Sequence, residues 1–187
     1  MTTTEVLVRI YAPDGIPGPE VAQLAPSPPS LAGLRIAVLD NGKPNAVEVM
    51  ARLAETLAAR TGAEVTLVTK KGPAGLSANA AIVCAPDIFD RLVDEADIVV
   101  TGAADCGSCT AYSVHDAIEL EKVGRPTVVV TTTRFEPIAA SMATHFGLPA
   151  LRVLVLPHPL GGTDLPTLHR WADEAVDRVI ALFTRSG

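Results

Sequence analysis

Five short runs of apolar residues recur along the chain, and a turn and a segment with apolar positions at helical spacing follow each run. The runs predict strands at 34–39, 64–69, 97–101, 125–131 and 151–156. The segments between and after them predict helices at 46–60, 86–94, 108 or 110 to 122, 137–146 and 165–184. Strands that alternate with helices favour a parallel sheet between two helical layers. We therefore expect a single three-layer α/β domain, flavodoxin-like or Rossmann-like, with a mostly parallel five-stranded sheet.

The chain before residue 34 has a different character. Residues 5–11 alternate apolar and polar positions, which predicts an edge strand or a hairpin arm. Six prolines follow in residues 12–30 and exclude a helix or a central strand there. We expect an N-terminal strand and an extended Pro-rich arm over residues 1–33, which wraps the domain or reaches a neighbouring subunit. The α/β domain is expected over residues 34–187.

The composition is that of a packed globular protein, with 48% hydrophobic and 19% charged residues. Aromatic residues make up only 4%, so Ala, Val, Leu and Ile must build the core, as suits a buried parallel sheet. The formal net charge is −6 without a Lys/Arg cluster, which argues against a nucleic-acid surface. The apolar runs are too short to span a membrane, and the N-terminus lacks a secretory signal pattern. We therefore expect a cytoplasmic protein that binds neither membrane nor nucleic acid.

The third predicted strand leads into Asp105 and the sequence CGSC at 106–109, directly before a predicted helix. This order places both cysteines at the carboxyl edge of the sheet, where open α/β folds bind their ligands. It also places Cys106 at a helix N-terminus, whose free N–H groups and dipole favour a thiolate. Two thiols at this spacing can also close a small disulfide. The pair therefore indicates nucleophilic or redox thiol chemistry.

Four segments in order resemble the UGSC family, in which selenocysteine or cysteine stands at the first position of a C-G-S-C run. The segments are DNGKPNA at 40–46, DCGSCT at 105–110, HDAIELEKVGRPT at 115–127 and LPHPLGG at 156–162. The selenocysteine members imply that the first position, Cys106 here, is a nucleophile or a redox centre. The resemblance implies no settled reaction, because the family is named for a motif.

Further polar residues follow the strands and are expected to bind a small polar substrate. They are Asn41, Lys43, Ser108, Thr110, Thr132 and Arg134. A guanidinium offers two parallel donors to a carboxylate or phosphate group, and an ammonium supplies a point charge. The alternatives are an ordinary turn around Lys43 and a pair between Arg134 and Glu136.

Histidines supply candidate acids and bases. His158 stands between two prolines after the fifth strand, which favours a fixed orientation, and we expect it to be the acid/base. Asp105 is a catalytic candidate as a proton relay, since a carboxylate without that role would disfavour a neighbouring thiolate. His115 and Glu119 share a helix face and form a second possible acid/base pair, unless the histidine is merely solvated. Cys84 lies in an apolar setting and is expected to be a buried, inert thiol.

Three functions fit these residues. In the first, Cys106 attacks as a nucleophilic or redox thiolate and Cys109 resolves the mixed species. The second is a cysteine-based lyase, hydrolase or isomerase without net redox, similar to the aspartate/glutamate racemase superfamily. The third is a zinc module with Cys106, Cys109, His115 and His158 as ligands. The C-x-x-C spacing favours the first.

The expected cofactors and partners follow from the same pattern. No G-x-G-x-x-G follows the first strand, so we predict neither NAD nor flavin, and no metal cofactor. The expected partners are a small-molecule substrate and a second copy of the chain or a related subunit.

Overall fold

The computed structural model describes residues 21–70 and 81–184. Its strands are β1 (Arg35–Asp40), β2 (Glu64–Thr69), β3 (Ile98–Ala104), β4 (Thr127–Thr132) and β5 (Arg152–Leu156). Its helices are α1 (Ala46–Thr61), α2 (Pro86–Glu95), α3 (Gly107–Lys122), α4 (Glu136–His145) and α5 (Leu165–Thr184). The predicted strand at 5–11 lies outside the described residues. None of the described helices is long and apolar enough to cross a membrane.

The five strands form one all-parallel sheet in the order β2-β1-β3-β4-β5. This is the flavodoxin-like order, and it confirms the predicted three-layer α/β fold. The chain runs outward from β1 to β2 and then returns to the other side of β1 as β3. The crevice at the carboxyl ends of β1 and β3 is therefore the place where this topology holds ligands.

The core lies on both faces of the sheet. On one face α1 and α5 pack against the central strands, and on the other face α2, α3 and α4 do so. Every residue of β3 and β4 is buried. Small and branched aliphatic side chains fill this space, as the low aromatic content predicts.

Strand β3 extends three residues beyond the predicted end at Thr101. Its pairing with β4 shifts register between Thr101 and Ala104, around Gly102. Gly102 has φ +138°, and a Cβ there would lie 2.7 Å from the Val130 carbonyl oxygen. Only glycine fits such a close approach. In sequence this glycine suggests the end of the strand, whereas in the fold it lets β3 continue to the cysteine loop.

The described part of the Pro-rich arm, residues 21–30, contains neither helix nor strand and lies on a buried ion pair. The Ala25 N–H donates to Glu121 Oε2 over 2.6 Å, and Arg152 Nη2 donates to the Ala25 carbonyl oxygen over 2.8 Å. Glu121 and Arg152 also pair with each other, and both are buried. The extended arm is thus docked on the domain by charge and backbone hydrogen bonds.

Candidate active site

The connection between β3 and α3 consists of Asp105 and Cys106 alone. Cys106 is the N-cap of α3, and its Sγ accepts a hydrogen bond from the Cys109 backbone N–H over 3.3 Å. The two cysteines form a disulfide, with their Cα atoms 5.5 Å apart. Cys109 is fully buried whereas Cys106 is partly exposed, so the Cys106 sulfur is the one that an attacking group can reach.

Two hydroxyl residues of the motif take different positions. Thr110 is buried, and its Oγ1 donates to the Cys106 carbonyl oxygen over 2.6 Å. This bond fixes the first turn of α3 and occupies the hydroxyl. Ser108 is exposed, and its Oγ lies 3.8 Å from Cys106 Sγ. Of the two, Ser108 is the one placed to contact a group bound at the sulfur.

The Asp105 carboxylate points away from α3, toward the loop after β5. Its Oδ1 accepts from Thr132 Oγ1 over 2.9 Å and lies 2.7 Å from His158 Nδ1. Its Oδ2 accepts from the backbone N–H groups of Leu160 and Gly161 over 3.0 and 3.4 Å. Four groups therefore share the negative charge, and the carboxylate ties the ends of β3, β4 and β5 together.

His158 is oriented by this contact. Because Nδ1 faces a carboxylate oxygen, Nδ1 carries the proton and Nε2 is left to act as acceptor or base. The side chain is 33% exposed, and the Phe135 ring lies 5.8 Å from the imidazole, centroid to centroid. The buried Thr132 hydroxyl is 3.2 Å from Nδ1 and braces the same pair. Sequence reasoning missed Phe135, which carried no signal beyond following the threonine run.

The loop after β1 closes the other side of the crevice. Asn41 is buried, and its Nδ2 donates to the Ala103 carbonyl oxygen over 3.0 Å and lies 3.4 Å from Ser113 Oγ. Its Oδ1 accepts from the Lys43 backbone N–H over 3.2 Å. The amide that was expected to hold substrate is therefore occupied in fixing this loop to β3 and α3.

Asn45 connects two loops at the edge of the sheet. It occupies the N-cap position of α1, but its side chain makes no capping hydrogen bond. Its Nδ2 instead donates to the carbonyl oxygens of Leu160 and Thr163 over 2.7 and 2.9 Å. The loop after β1 is thereby joined to the loop after β5, the one that carries His158.

Two cations flank the cysteine loop. Lys43 follows β1 and Arg134 follows β4, and these strands are the two neighbours of β3 in the sheet. Within residues 21–70 and 81–184, neither side chain forms an ion pair, including the alternative between Arg134 and Glu136. Both charges are therefore free to meet an anion.

His115 and Glu119 lie elsewhere, at a groove between α2 and α3. His115 Nδ1 is 3.6 Å from Asp116 Oδ1, and Glu119 pairs with Lys122 over 2.7 Å, so the histidine is flanked by Asp116 and not oriented by Glu119. Within the described part of the chain, no three His, Cys, Asp or Glu side chains are grouped closely enough to hold a metal ion. The four ligands of the alternative zinc module are therefore not grouped into a metal site.

A buried ion pair near this groove was not foreseen. Lys70 Nζ lies 2.5 Å from Asp116 Oδ2, and both side chains are almost completely buried. In sequence, Lys70 belongs to a basic Gly-containing loop and Asp116 to a charged helix, so neither signals burial. Cys84 is buried beside them, and burial, with Asp116 nearby, raises the pKa of its thiol to about 12, as expected for an inert cysteine.

Known proteins provide three comparisons. The model of the UGSC family matches residues 9–185, whereas no curated protein gives a significant sequence match. The NAD(P)H:quinone oxidoreductase from Methanothermobacter marburgensis has 14% identity and a TM-score of 0.50, over 79% of this chain and 100% of that one. A short-chain flavodoxin associated with a non-canonical PDU bacterial microcompartment has 12% identity and a TM-score of 0.42, over 80% and 99% of the chains. At such identities a structural likeness concerns the fold alone.

Proposed function

The chain belongs to the UGSC family, and from this premise we propose that it is a thiol-dependent enzyme that acts on a small polar substrate. Cys106 is the attacking thiolate and Cys109 the resolving thiol. The observation that carries the proposal is the Cys106–Cys109 pair at the start of α3, with the more exposed sulfur at the helix N-cap. A helix N-terminus stabilises a thiolate, and a buried cysteine three residues further on suits a resolving thiol.

The proposed reaction is thiol–disulfide exchange. The Cys106 thiolate attacks one sulfur of a substrate disulfide, which forms a Cys106–substrate bond and releases one substrate thiolate. The Cys109 thiolate then attacks Cys106 Sγ, which closes the protein disulfide and releases the second substrate thiolate. The two released thiolates take up the two protons that Cys106 and Cys109 lose, so the substrate gains two electrons and the protein loses two. His158 is the proposed carrier of these protons, held by Asp105.

Lys43 and Arg134 support an anionic group on the substrate. Their loops stand on either side of the Cys106 loop, and neither cation is neutralised within the described residues. The N-termini of α1, α3 and α4 lie at the same edge and add positive potential to it. In a chain with net charge −6 this edge is the place for a carboxylate or phosphate.

The test uses the reduced protein and a chromogenic aromatic disulfide that carries two carboxylates. The wild type should release two coloured thiolates per chain and form the Cys106–Cys109 bond, identified by peptide mass spectrometry. Cys109→Ser should stop at the mixed disulfide after one thiolate. Cys106→Ser should release at most one thiolate, and slowly, because only the buried Cys109 thiol of the pair remains. Cys84→Ala is the matched control and should behave as the wild type. A Cys106→Ser protein that retains the wild-type rate would refute the proposal.

A second candidate is a cysteine-based lyase, hydrolase or isomerase without net redox. The contact between Asp105 and His158 favours it, because a carboxylate that fixes an imidazole tautomer is the arrangement used for general-base catalysis. In that reaction Cys109 is dispensable. Near-normal turnover of Cys109→Ser on a carbon substrate would therefore select this candidate over the redox one. Association with a second copy or a related subunit stays a prediction for both.

A further inference from the structure

Asn45 stands at the start of α1 in a conformation that its position alone does not require. Its backbone angles, φ 63° and ψ 4°, lie in the left-handed region, and among the described residues it is the only one besides glycine with a positive φ. A residue with a Cβ adopts that region at a cost that glycine avoids. The residue before a helix often caps it through its side chain, yet the Asn45 amide makes no such bond. Neither the backbone nor the cap therefore explains an asparagine at this position.

The Asn45 amide instead binds the loop after β5. Its Nδ2 donates to the Leu160 carbonyl oxygen over 2.7 Å and to the Thr163 carbonyl oxygen over 2.9 Å. A primary amide has two N–H bonds, so these two contacts use both of its donors. An ionised aspartate of the same size offers only acceptors, and a glycine offers no side-chain donor at all. The contacts therefore require a short side chain with two donors.

Leu160 connects this amide to the Asp105 carboxylate. Its N–H donates to Asp105 Oδ2 over 3.0 Å, while its carbonyl oxygen accepts from Asn45. Its side chain is 1% exposed and packs in the core that α1 and α5 share. Leu160 is thus held by its N–H, its carbonyl and its side chain together. Because Leu160 occupies Oδ2, the other carboxylate oxygen, Oδ1, is left to face His158 Nδ1 at 2.7 Å.

We propose that Asn45 is a positioning residue for His158, and that it acts through Leu160 and Asp105. The amide holds the loop after β5 so that a backbone N–H stays on one carboxylate oxygen. The other oxygen then keeps the imidazole proton on Nδ1 and leaves Nε2 as the acceptor. The inference rests on the proposed function only for the use of Nε2 in moving thiol protons, since the orientation of the ring is a property of the fold.

The first measurement is ¹⁵N NMR of the His158 ring at a pH where the imidazole is neutral. The wild type should carry the proton on Nδ1, whereas Asn45→Asp and Asn45→Gly should show a fraction with the proton on Nε2. Asn45→Asp turns an acceptor toward two carbonyl oxygens, so its fraction should be the larger of the two. Glycine suits the left-handed backbone and removes only the amide, so Asn45→Gly separates the lost bonds from backbone strain.

Gly62→Ala is the matched control at the other end of α1. Gly62 also has a left-handed backbone, with φ 73°, and a Cβ there would meet no atom within 4 Å. The substitution strains the end of the same helix without touching the loop after β5. It should lower the thermal unfolding temperature and leave the His158 proton on Nδ1. If Gly62→Ala moves the proton as much as the Asn45 variants do, general loosening of α1 is the cause and the proposal is wrong.

The second measurement is the rate at which the reduced protein releases thiolate from the chromogenic disulfide. Asn45→Gly should slow this release about tenfold, part of the factor of about 10²–10⁴ that a positioned acid or base contributes. If Asn45 acts through His158, the double variant of Asn45→Gly and His158→Ala should be no slower than His158→Ala alone.

Two results would overturn the proposal. They are a double variant slowed by the product of the two single effects, and Asn45 variants that keep the wild-type ring proton. If His158→Ala itself reacts at the wild-type rate, the proton-carrying role in the proposed function fails. The NMR result still decides the role of Asn45 in that case, because the ring proton is read without any reaction.

Discussion

The substitution Asp105→Asn tests the site most sharply, because the hydrogen-bond donors around this carboxylate determine the orientation of the asparagine amide. The Oδ2 position faces the backbone N–H groups of Leu160 and Gly161, which cannot become acceptors. The amide oxygen must therefore take that position. Its NH₂ group then faces Thr132 and His158, where a carboxylate oxygen stands in the wild type.

The magnitudes follow from this geometry. The opposite amide orientation would leave two N–H donors facing an NH₂ group, at about 1–3 kcal/mol each, so it is populated to less than about a tenth. In the favoured orientation the amide donates to His158 Nδ1, and the ring proton must move to Nε2. Replacing charge-assisted bonds by neutral ones should lower the free energy of unfolding by about 1–3 kcal/mol. Because Nε2 then has no free lone pair, His158 can no longer act as a general base, and turnover should fall by a factor of about 10²–10⁴.

The assay is ¹⁵N NMR of the His158 ring at a pH where the imidazole is neutral, together with turnover and thermal unfolding. The wild type should show a proton on Nδ1, and Asp105→Asn a proton on Nε2. Asp164→Asn is the matched control, since its Oδ1 accepts from the Thr167 backbone N–H over 3.0 Å at the start of α5. The asparagine Oδ1 can still accept this bond, and Asn caps a helix about as well as Asp, so this variant should change stability little and leave the tautomer unchanged. An Asp105→Asn protein with the proton still on Nδ1, or with full turnover, would refute this reasoning.

Three further predictions concern stability. Gly102→Ala should lower the free energy of unfolding by at least about 2 kcal/mol in chemical denaturation, because its Cβ would meet the Val130 carbonyl at 2.7 Å in a backbone conformation that strains other residues. Arg152→Met should cost about 3–5 kcal/mol in the same assay, because it leaves the buried Glu121 carboxylate unpaired. Burial raises the pKa of the Cys84 thiol to about 12, whereas an unfolded thiol has a pKa near 8.5. The buried neutral thiol therefore contributes its full stability below about pH 8.5. This contribution is lost as the pH rises toward 12, because the unfolded state then ionises first. Unfolding measured across that range should show this loss in the wild type but not in Cys84→Ala.

Matched substitutions separate these effects from general damage. Gly161→Ala places a Cβ in open space and should cost little. Arg52→Met breaks an exposed pair with Asp173, where solvent screens the charges, so the loss of stability should be small. If either control costs as much as its buried counterpart, or if Cys84→Ala keeps the alkaline loss, the physical reason given for that prediction is wrong.

The fold was predictable because its signals are local and repeated. Each central strand is an apolar run between turns, and each helix has an apolar stripe, so the element order alone led to a parallel sheet. The carboxyl edge of that sheet then placed residues far apart in sequence side by side. Asp105 and His158, 53 positions apart, meet for this reason.

The features that could not be predicted from sequence depend on which polar side chains are buried and on where those side chains point. Asn41 and Lys43 are neighbours in one polar loop, yet the first is buried as a brace while the second has a free charge. Nothing in the loop's composition distinguishes them. Lys70 and Asp116 are likewise ordinary charged residues in sequence, and only the fold brings Lys70, which follows β2, to Asp116 of α3 and buries the two as a pair. Polar residues can be assigned to an edge of a sheet from sequence, but their partners require coordinates.

The position of Asp105 also removes an objection to thiolate chemistry at its neighbour. Adjacent carboxylate and thiolate charges repel each other, but Cys106 has extended backbone angles, φ −157° and ψ 166°, and successive side chains in such a segment point to opposite sides. Cys106 Sγ faces the N-terminus of α3, while the Asp105 charge is shared among His158 and three other donors.

Cys106 contacts the start of α3, whereas His158 contacts Asp105. One variant, His158→Ala, can therefore distinguish the two candidate functions. If the enzyme exchanges disulfides, the imidazole only helps to move thiol protons. Raising the pH until the Cys106 thiol ionises without the imidazole should then restore the rate. If the enzyme abstracts a proton from carbon, the base itself is missing and a higher pH should restore little. The measurement is the pH profile of turnover for His158→Ala beside the wild type, with Cys84→Ala as the unaffected control. Convergence of the His158→Ala and wild-type profiles at high pH supports thiol exchange, and a constant gap supports the alternative.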